Sequence, residues 1–344
     1  LGDVYKRQLY IPRGPIMDYQ NSELVAFMLQ SIKTYAKSKR AVFAKFDPSL
    51  FLKKGLIGQE TSDQEATLAI IQSLKECGAE WVGRTEDMGE TIQPRFQANI
   101  YKEYFTEDQL SKSTKQAIRT ARNKGVEVIF GGTELLDEFA ALMKKTEARK
   151  GIHLRGRDYY EKLLTTYAEQ SYITLSRINL AQRLASLKEQ LEKNQAEASR
   201  FNEKTKPGKI DNNRQEKERL EEEIQFLHQV LKAGQEIVSL SGTLTLEFGG
   251  TSENVYAGMD ENFRRYQPAI LTWYETAQHA FDRGATWQNM GGVENQLDGG
   301  LYHFKSKFNP MIEEFVGEFN LPTSMLYPLV NKAYQLRKKL RNKQ

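Results

Sequence analysis

The sequence predicts an α/β protein of two domains, with a helical hairpin inserted into the second. Three observations carry this expectation. The chain has 344 residues, more than one ordinary domain holds. Short apolar runs alternate with helical periodicity on both sides of residue 180. Between residues 181 and 235 the texture changes to charged sequence with leucines at a/d spacing.

Leu9 to Ile11 reads as a strand, and Arg13-Gly14-Pro15-Ile16-Met17-Asp18 as the tight turn that leaves it. Helical periodicity from Glu23 to Lys37 groups Leu24, Phe27, Met28, Ile32 and Tyr35 on one face. Ala41 to Phe46 is a short strand ended by Asp47-Pro48. A helix over 64–76, strands near Trp81 and over 96–101, a helix over 113–124 closed by Gly125, and a strand over 126–130 follow. This alternation resembles half of an acyltransferase-type fold. A helix over 134–149 then leads to the loop Lys150 to Arg155.

In the middle stretch, Leu184, Leu187, Leu191, Asn194, Ala198 and Phe201 follow a/d spacing, Lys206-Pro207-Gly208-Lys209 breaks the helix, and Leu220, Ile224, Leu227 and Leu231 resume the pattern. Strand-like segments at 172–178 and 236–248 flank it. The pattern predicts an antiparallel coiled-coil hairpin that replaces a turn between two strands. Such an arm suits a long partner, with tRNA the leading candidate, or a purely structural or dimerising role. The predicted division is a first subdomain over 9–130, a second over 131–180 and 236–328, the hairpin over 181–235, and a basic tail over 329–344. Asp3 to Gln8 matches one translated frame of a common sequencing-adapter end, so residues 1–8 are expected to lie outside the fold.

Composition narrows the chemistry. With Cys77 alone there is no disulfide framework or cysteine-rich metal site, which fits a reducing cytoplasm. His153, His228, His279 and His303 lack ligand spacing, so no metal is expected. The mean hydropathy of −0.62 and the absence of a long apolar run argue against a membrane span. Net charge is +4, so its placement matters more than its sum. No Ser-His-Asp order, zinc signature or P-loop emerges. Gln288 to Val293 approaches a coenzyme A pyrophosphate loop but fails at its last position, and no cofactor is expected.

Three places hold candidate functional residues. Lys112, Lys115, Arg119 and Arg122 recur at 3-4-3 spacing and form one stripe, which suits a phosphate backbone or a solvated helix face. Arg155 follows a glycine break and offers bidentate phosphate binding or a surface ion pair. In Trp287 to Phe308, two glycine pairs, Gly291-Gly292 and Gly299-Gly300, read as a loop built to approach a ligand. There Tyr302, Phe304 and Phe308 surround Lys305, which is either a cation at reduced dielectric or a side chain snorkelling to solvent. The tail, with Lys332, Arg337, Lys338, Lys339, Arg341 and Lys343, would be drawn to an anionic leaflet or to nucleic acid, or would serve solubility.

RGPIMD at 13–18, TIQPRF at 91–96, SKSTKQAIRTARNKGVEV at 111–128, KGIHLR at 150–155, VYAGMD at 255–260 and NMGGVE…LYHFK at 289–305 occur in order. Together they resemble the FemABX family of peptidoglycan-branching aminoacyltransferases, most closely its MurM type. The resemblance implies two GNAT-like (acyltransferase-like) subdomains facing a shared cleft and transfer of alanine or serine from aminoacyl-tRNA to the lysine ε-amine of lipid II. It implies Asp18 near the acceptor amine, Arg155 on precursor phosphate, Tyr256 lining the cleft, and Phe304 with Lys305 at the tRNA end and reaction centre. Peripheral association with the inner membrane face follows from the acceptor. The family carries further strand and helix structure before the RGP turn, so the N-terminal part of the first subdomain is expected to be missing. Two rivals remain: addition of a second branch residue, and a non-catalytic tRNA-binding protein.

Overall fold

The computed structural model describes residues 8–232 and 234–333. The expectations for residues 1–7, and for the basic tail from residue 334 on, lie outside them. The chain opens with β1 (Gln8–Ile11), α1 (Ser22–Ser38), β2 (Phe43–Phe46), β3 (Phe51–Leu56), α2 (Glu65–Glu76), β4 (Glu80–Trp81) and β5 (Phe96–Tyr101). It continues through α3 (Lys112–Asn123), β6 (Val126–Gly131), α4 (Leu136–Lys150), α5 (Arg157–Thr166), β7 (Ser171–Asn179), α6 (Leu180–Ala198), α7 (Pro207–Lys232), β8 (Ile237–Phe248), β9 (Thr251–Met259) and α8 (Pro268–Asp282). It ends in β10 (Trp287–Val293), α9 (Gly300–Lys305), β11 (Met311–Phe315) and β12 (Phe319–Pro322). Gln8, expected outside the fold, is the first residue of β1 and stands opposite Phe43.

Two compact units result, and they do not follow the boundaries expected from sequence. The first joins residues up to Tyr104 with those from Asn289 onward; the second is Phe105–Gln288. The physical reason is strand pairing over long sequence distance. β12 runs antiparallel to both β2 and β4, and β11 runs antiparallel to both β3 and β5. The C-terminal strands therefore complete the N-terminal unit. Likewise β6 pairs antiparallel with β7 and belongs with the second unit, not the first.

In the first unit, β1 lies parallel to β2, and α1 and α2 cover a core of Val25, Leu29, Ile32, Phe46, Leu52, Ile71, Leu74 and Phe319. The rings of Phe46 and Phe319 stack at 5.3 Å between centroids. Each such side chain stabilises the fold by about 1.5–3 kcal/mol when fully buried. The face expected for α1 is met in part: Ile32 is buried and Met28 packs against the core as expected. Val25, Leu29, Ile32 and Ala36 face the core, while Phe27 and Tyr35 are 68% and 54% exposed. The helix carries two adjacent apolar stripes at i, i+4 spacing, and periodicity alone does not say which one meets the sheet.

In the second unit β9, β8, β7 and β6 form consecutive antiparallel neighbours. Alternation along β8 sorts the two faces. Gly242 and Leu244 point to α4 and α5, into a cluster with Phe139, Leu142, Tyr160 and Leu175. Ser241 and Thr243 point instead to α8, where Thr272 and Thr276 meet them at 3.1 Å each. A Cβ at Gly242 would stand 2.6 Å from Leu175 Cδ2, so close packing requires glycine there.

Between β7 and β8, which pair antiparallel, the chain makes the expected helical hairpin of α6 and α7. Asn194 and Asn213 exchange side-chain-to-carbonyl hydrogen bonds of 3.0 Å, which fixes the antiparallel register. Pro207 does not break a helix but begins α7, where its missing N–H costs nothing. The reversal lies in residues 199–206. Leu184, Leu187, Leu220 and Leu227 are buried as expected, but Ala198 is exposed, and Leu191 and Phe201 are half-buried. Near the root, Arg183, 5% exposed, donates two hydrogen bonds to Glu223, 1% exposed, and the Tyr266 hydroxyl donates a third of 2.8 Å.

Candidate functional site

In the first unit, the turn Arg13 to Asp18, the segment ending in Pro94-Arg95, the glycine pair of β10 and the end of α9 converge. Asp47, 2% exposed at the end of β2, accepts the Arg13 backbone N–H at 2.7 Å and the Tyr10 hydroxyl at 2.9 Å. Burial pushes the Asp47 carboxyl up, against the opposing pull of those two donors. The Arg13 guanidinium lies 4.0 Å over the Phe315 ring and donates to the Pro94 carbonyl at 3.1 Å. Pro94 in turn sits on Gly292: a Cβ there would be 2.5 Å from Pro94 Cβ. The Gly292 carbonyl accepts from the Lys305 Nζ at 2.7 Å.

Lys305 is 5% exposed, so it does not snorkel to solvent. Phe304, its neighbour on α9, packs edge-on against the buried Phe308 at 5.6 Å. The segment around them is not the expected open loop. Gly291-Gly292 lies within β10, with Gly291 at φ +79°, and Gly299-Gly300 opens α9. The near-miss coenzyme A loop, Gln288 to Val293, is the same strand. At the start of α9, the carboxylate of Glu294 accepts the N–H groups of Leu301 at 3.0 Å and Tyr302 at 2.9 Å. Burial pushes this carboxyl up, but the two N–H groups and the Lys305 ammonium outweigh it and hold it below the usual carboxylate range. Asn295 anchors the following turn by donating to the Thr85 carbonyl at 3.0 Å, and Arg95, 6% exposed, donates to the same oxygen at 2.8 Å. Arg95 is also ion-paired with Glu314, and Lys45 with Glu318.

Asp18 is exposed on the turn ahead of α1, and its Oδ1 accepts the Gln20 N–H at 2.9 Å. In this position it caps a turn.

In the second unit, Arg155 and Tyr256 are brought together. The exposed guanidinium of Arg155 stands 5.1 Å from the Tyr159 ring, and Tyr159 meets Tyr256 edge-on at 6.2 Å. Burial and then Tyr159 push the Tyr256 phenol up, and Arg155 pulls it back. The cation stripe of α3 is partly diverted. Lys112 and Arg119 are exposed and Lys115 is half-buried, but Arg122 pairs with Glu275 at 2.7 Å and lies over the Tyr274 ring. The buried face of this helix is Thr114, Ile118 and Ala121.

Sequence reasoning named Lys305 but missed Arg13, Pro94, Glu294 and Asp47 as its surroundings. A signal was present for the first three, since each falls within one of the motifs RGPIMD, TIQPRF and NMGGVE. Among the described residues no group of histidine, cysteine or carboxylate side chains could hold a metal ion.

Known proteins give this geometry a context. The lipid II:glycine glycyltransferase of Staphylococcus aureus (strain USA300) is 28% identical over 348 residues, covering 95% of this chain and 78% of its own length. That of Staphylococcus epidermidis (strain ATCC 35984) is 28% identical over 344 residues, covering 94% and 79%. The crystal structure of FemX superposes with a TM-score of 0.66 at 25% identity, covering 96% of this chain and 82% of that one. The FemAB family profile matches residues 4–338, and the chain belongs to that family.

Proposed function

We propose that this FemAB-family transferase moves a small amino acid, alanine or serine, from aminoacyl-tRNA to the lysine ε-amine of the lipid II stem peptide, building the branch between peptidoglycan strands. The observation that carries the reading is the buried Lys305 ammonium, held by the Gly292 carbonyl where three sequence motifs meet. In aminolysis of the ester, the amine nitrogen forms a bond to the acyl carbon, the ester C–O bond breaks, and the tRNA ribose hydroxyl leaves with a proton. The ribose is a competent leaving group, so no enzyme nucleophile is required. A fixed cation instead stabilises the developing oxyanion or the terminal tRNA phosphate. Asp18 orients the acceptor amine.

Arg155, on its tyrosine platform, holds precursor phosphate, Tyr256 lines the cleft, and Phe304 packs at the tRNA end. For the donor, Lys112, Lys115 and Arg119 supply phosphate contacts, with Arg122 available only on leaving Glu275. The hairpin favours the same donor. Its tip carries an open pocket of about 670 Å³ lined by Arg200, Lys204, Lys206 and Lys209 around Phe201, with Glu197 paired to Lys209 at 2.9 Å, while acids outnumber bases along the rest of α7. Positive charge is concentrated where the arm ends. Among the described residues no helix is long and apolar enough to cross a membrane, and we place the protein at the cytoplasmic membrane surface through its lipid-linked acceptor.

The test is transfer to lipid II from labelled alanyl-, seryl- and glycyl-tRNA. Product from alanine or serine is expected. Because the staphylococcal relatives are named glycyltransferases, glycine is the second donor to try. Product only from glycine would replace the amino acid in this reading. Product only from an already extended stem would assign the second branch residue, and tRNA binding without product would reduce the protein to a binding module.

A further inference from the structure

Resting on the reading of Lys305 as the reaction-centre cation, we propose that Glu294 and Gly299 form a clamp that positions Lys305. Glu294 is the positioning residue, and Gly299 is the space it needs. The segment from Gly292 to Lys305 closes on itself in space. It leaves β10 at Val293, turns at Leu297, whose N–H donates to the Glu294 carbonyl at 3.0 Å, and enters α9 at Gly300. The Glu294 side chain reaches forward to the first turn of α9, one oxygen on Leu301 N–H and the other on Tyr302 N–H. Lys305 then sends its ammonium back to the Gly292 carbonyl. The carboxylate therefore fixes the start of the short helix, and the ammonium closes its end.

Two features make this a positioning device and not simply a helix cap. The first is Gly299. A Cβ on this residue would lie 2.1 Å from the Glu294 carboxyl carbon and 2.5 Å from one of its oxygens, although the backbone itself, at φ −83°, accepts any residue. The glycine serves the carboxylate, not the turn. The second is the far end: Gly292 packs closely against Pro94, whose carbonyl accepts from Arg13, so displacement of α9 moves the ammonium relative to a carbonyl tied to another segment. A helix of six residues has too few internal hydrogen bonds to hold its own last side chain. A misplacement of about 1 Å at a reacting group costs about 10²-fold in rate.

The test compares Glu294→Ala, Glu294→Gln, Gly299→Ala and Lys305→Met, each checked for cooperative melting, with kcat and KM measured separately for aminoacyl-tRNA and lipid II. Glu294→Ala removes the clamp, and Gly299→Ala displaces the carboxylate without deleting its charge. Both are expected to lower kcat by about 10²-fold while KM for both substrates stays within about twofold. Glu294→Gln keeps an oxygen acceptor and is expected to recover part of the loss. Wild-type kcat in both alanine variants, with Lys305→Met inactive, would overturn the clamp and leave the role of Lys305 standing. Wild-type kcat in Lys305→Met would overturn the reading of the centre, and the proposal with it. A loss in the alanine variants that appears in KM would assign Glu294 to substrate binding and also overturn it.

Discussion

Lys305 and Arg183 are both 5% exposed cations, yet the acceptors named for the two differ. Arg183, at the root of the hairpin, donates two hydrogen bonds to the carboxylate of Glu223, which also takes the Tyr266 hydroxyl and stands 3.7 Å from Lys124. Lys305 leans on a backbone carbonyl, and the nearby Glu294 carboxylate is engaged by two N–H groups. The charge at the root holds the arm to its unit, whereas that of Lys305 is the one we propose acts on a developing anion.

The comparison can be broken by removing each cation. Arg183→Leu removes the main partner of buried Glu223, which keeps Arg219 at 3.2 Å and the Tyr266 hydroxyl, and should destabilise the protein by about 1–3 kcal/mol, read as a fall in denaturation midpoint. Replacing Arg183 and Glu223 together by leucine should restore most of that loss. If the single variant melts like wild type, the root is not a structural ion pair. Lys305→Met should leave stability nearly unchanged and lower kcat by about 10²–10³-fold in a transfer assay.

A third prediction contrasts the buried lysine with an exposed arginine. Arg155→Ala should raise KM for the lipid-linked acceptor by about tenfold with kcat little changed, and the effect should shrink as salt rises. An equal loss in kcat would place Arg155 at the reaction centre instead. The smallest effect expected is on the pH dependence of folding. Burial pushes the Glu223 carboxyl up, but Arg183, the Tyr266 hydroxyl and Lys124 outweigh it, so its folded pKa lies below the usual glutamate range. The native state then binds fewer protons than the unfolded chain in mild acid. Its stabilising contribution is full above the unfolded value and is lost as pH falls through the folded one. Glu223→Gln should flatten that acid limb of the melting-temperature profile.

Local chemistry was legible wherever a short stretch decides its own conformation. The strand over 96–101, the α3 helix and its following glycine, and the helical hairpin between β7 and β8 stand as the pattern of residues predicted. The buried stripe of α1 was legible only in part, because Ile32 was expected but Val25, Leu29 and Ala36 compete with Leu24, Phe27 and Tyr35. Not legible were the buried Arg183 and Glu223 of the hairpin, since a/d spacing marks seam positions and leaves ion pairs unannounced, whereas Asn194 is buried at an expected a/d position.

The candidate site divides in the same way. The sequence by itself determined the motifs, their order, and the lysine among aromatic neighbours that carries the chemical reading. It also determined the glycines, though not their purpose: Gly292 makes room for Pro94 and Gly299 for a carboxylate. Only the tertiary structure decided that β11 and β12 complete the first unit, that Arg13 reaches Pro94, and that Lys305 reaches back to Gly292. Spacing along a chain fixes which residues share a helix face or a strand face, over distances of a few residues. Contacts between residues hundreds of positions apart depend on which strands pair, and pairing is settled by the burial of whole faces, which no single motif encodes.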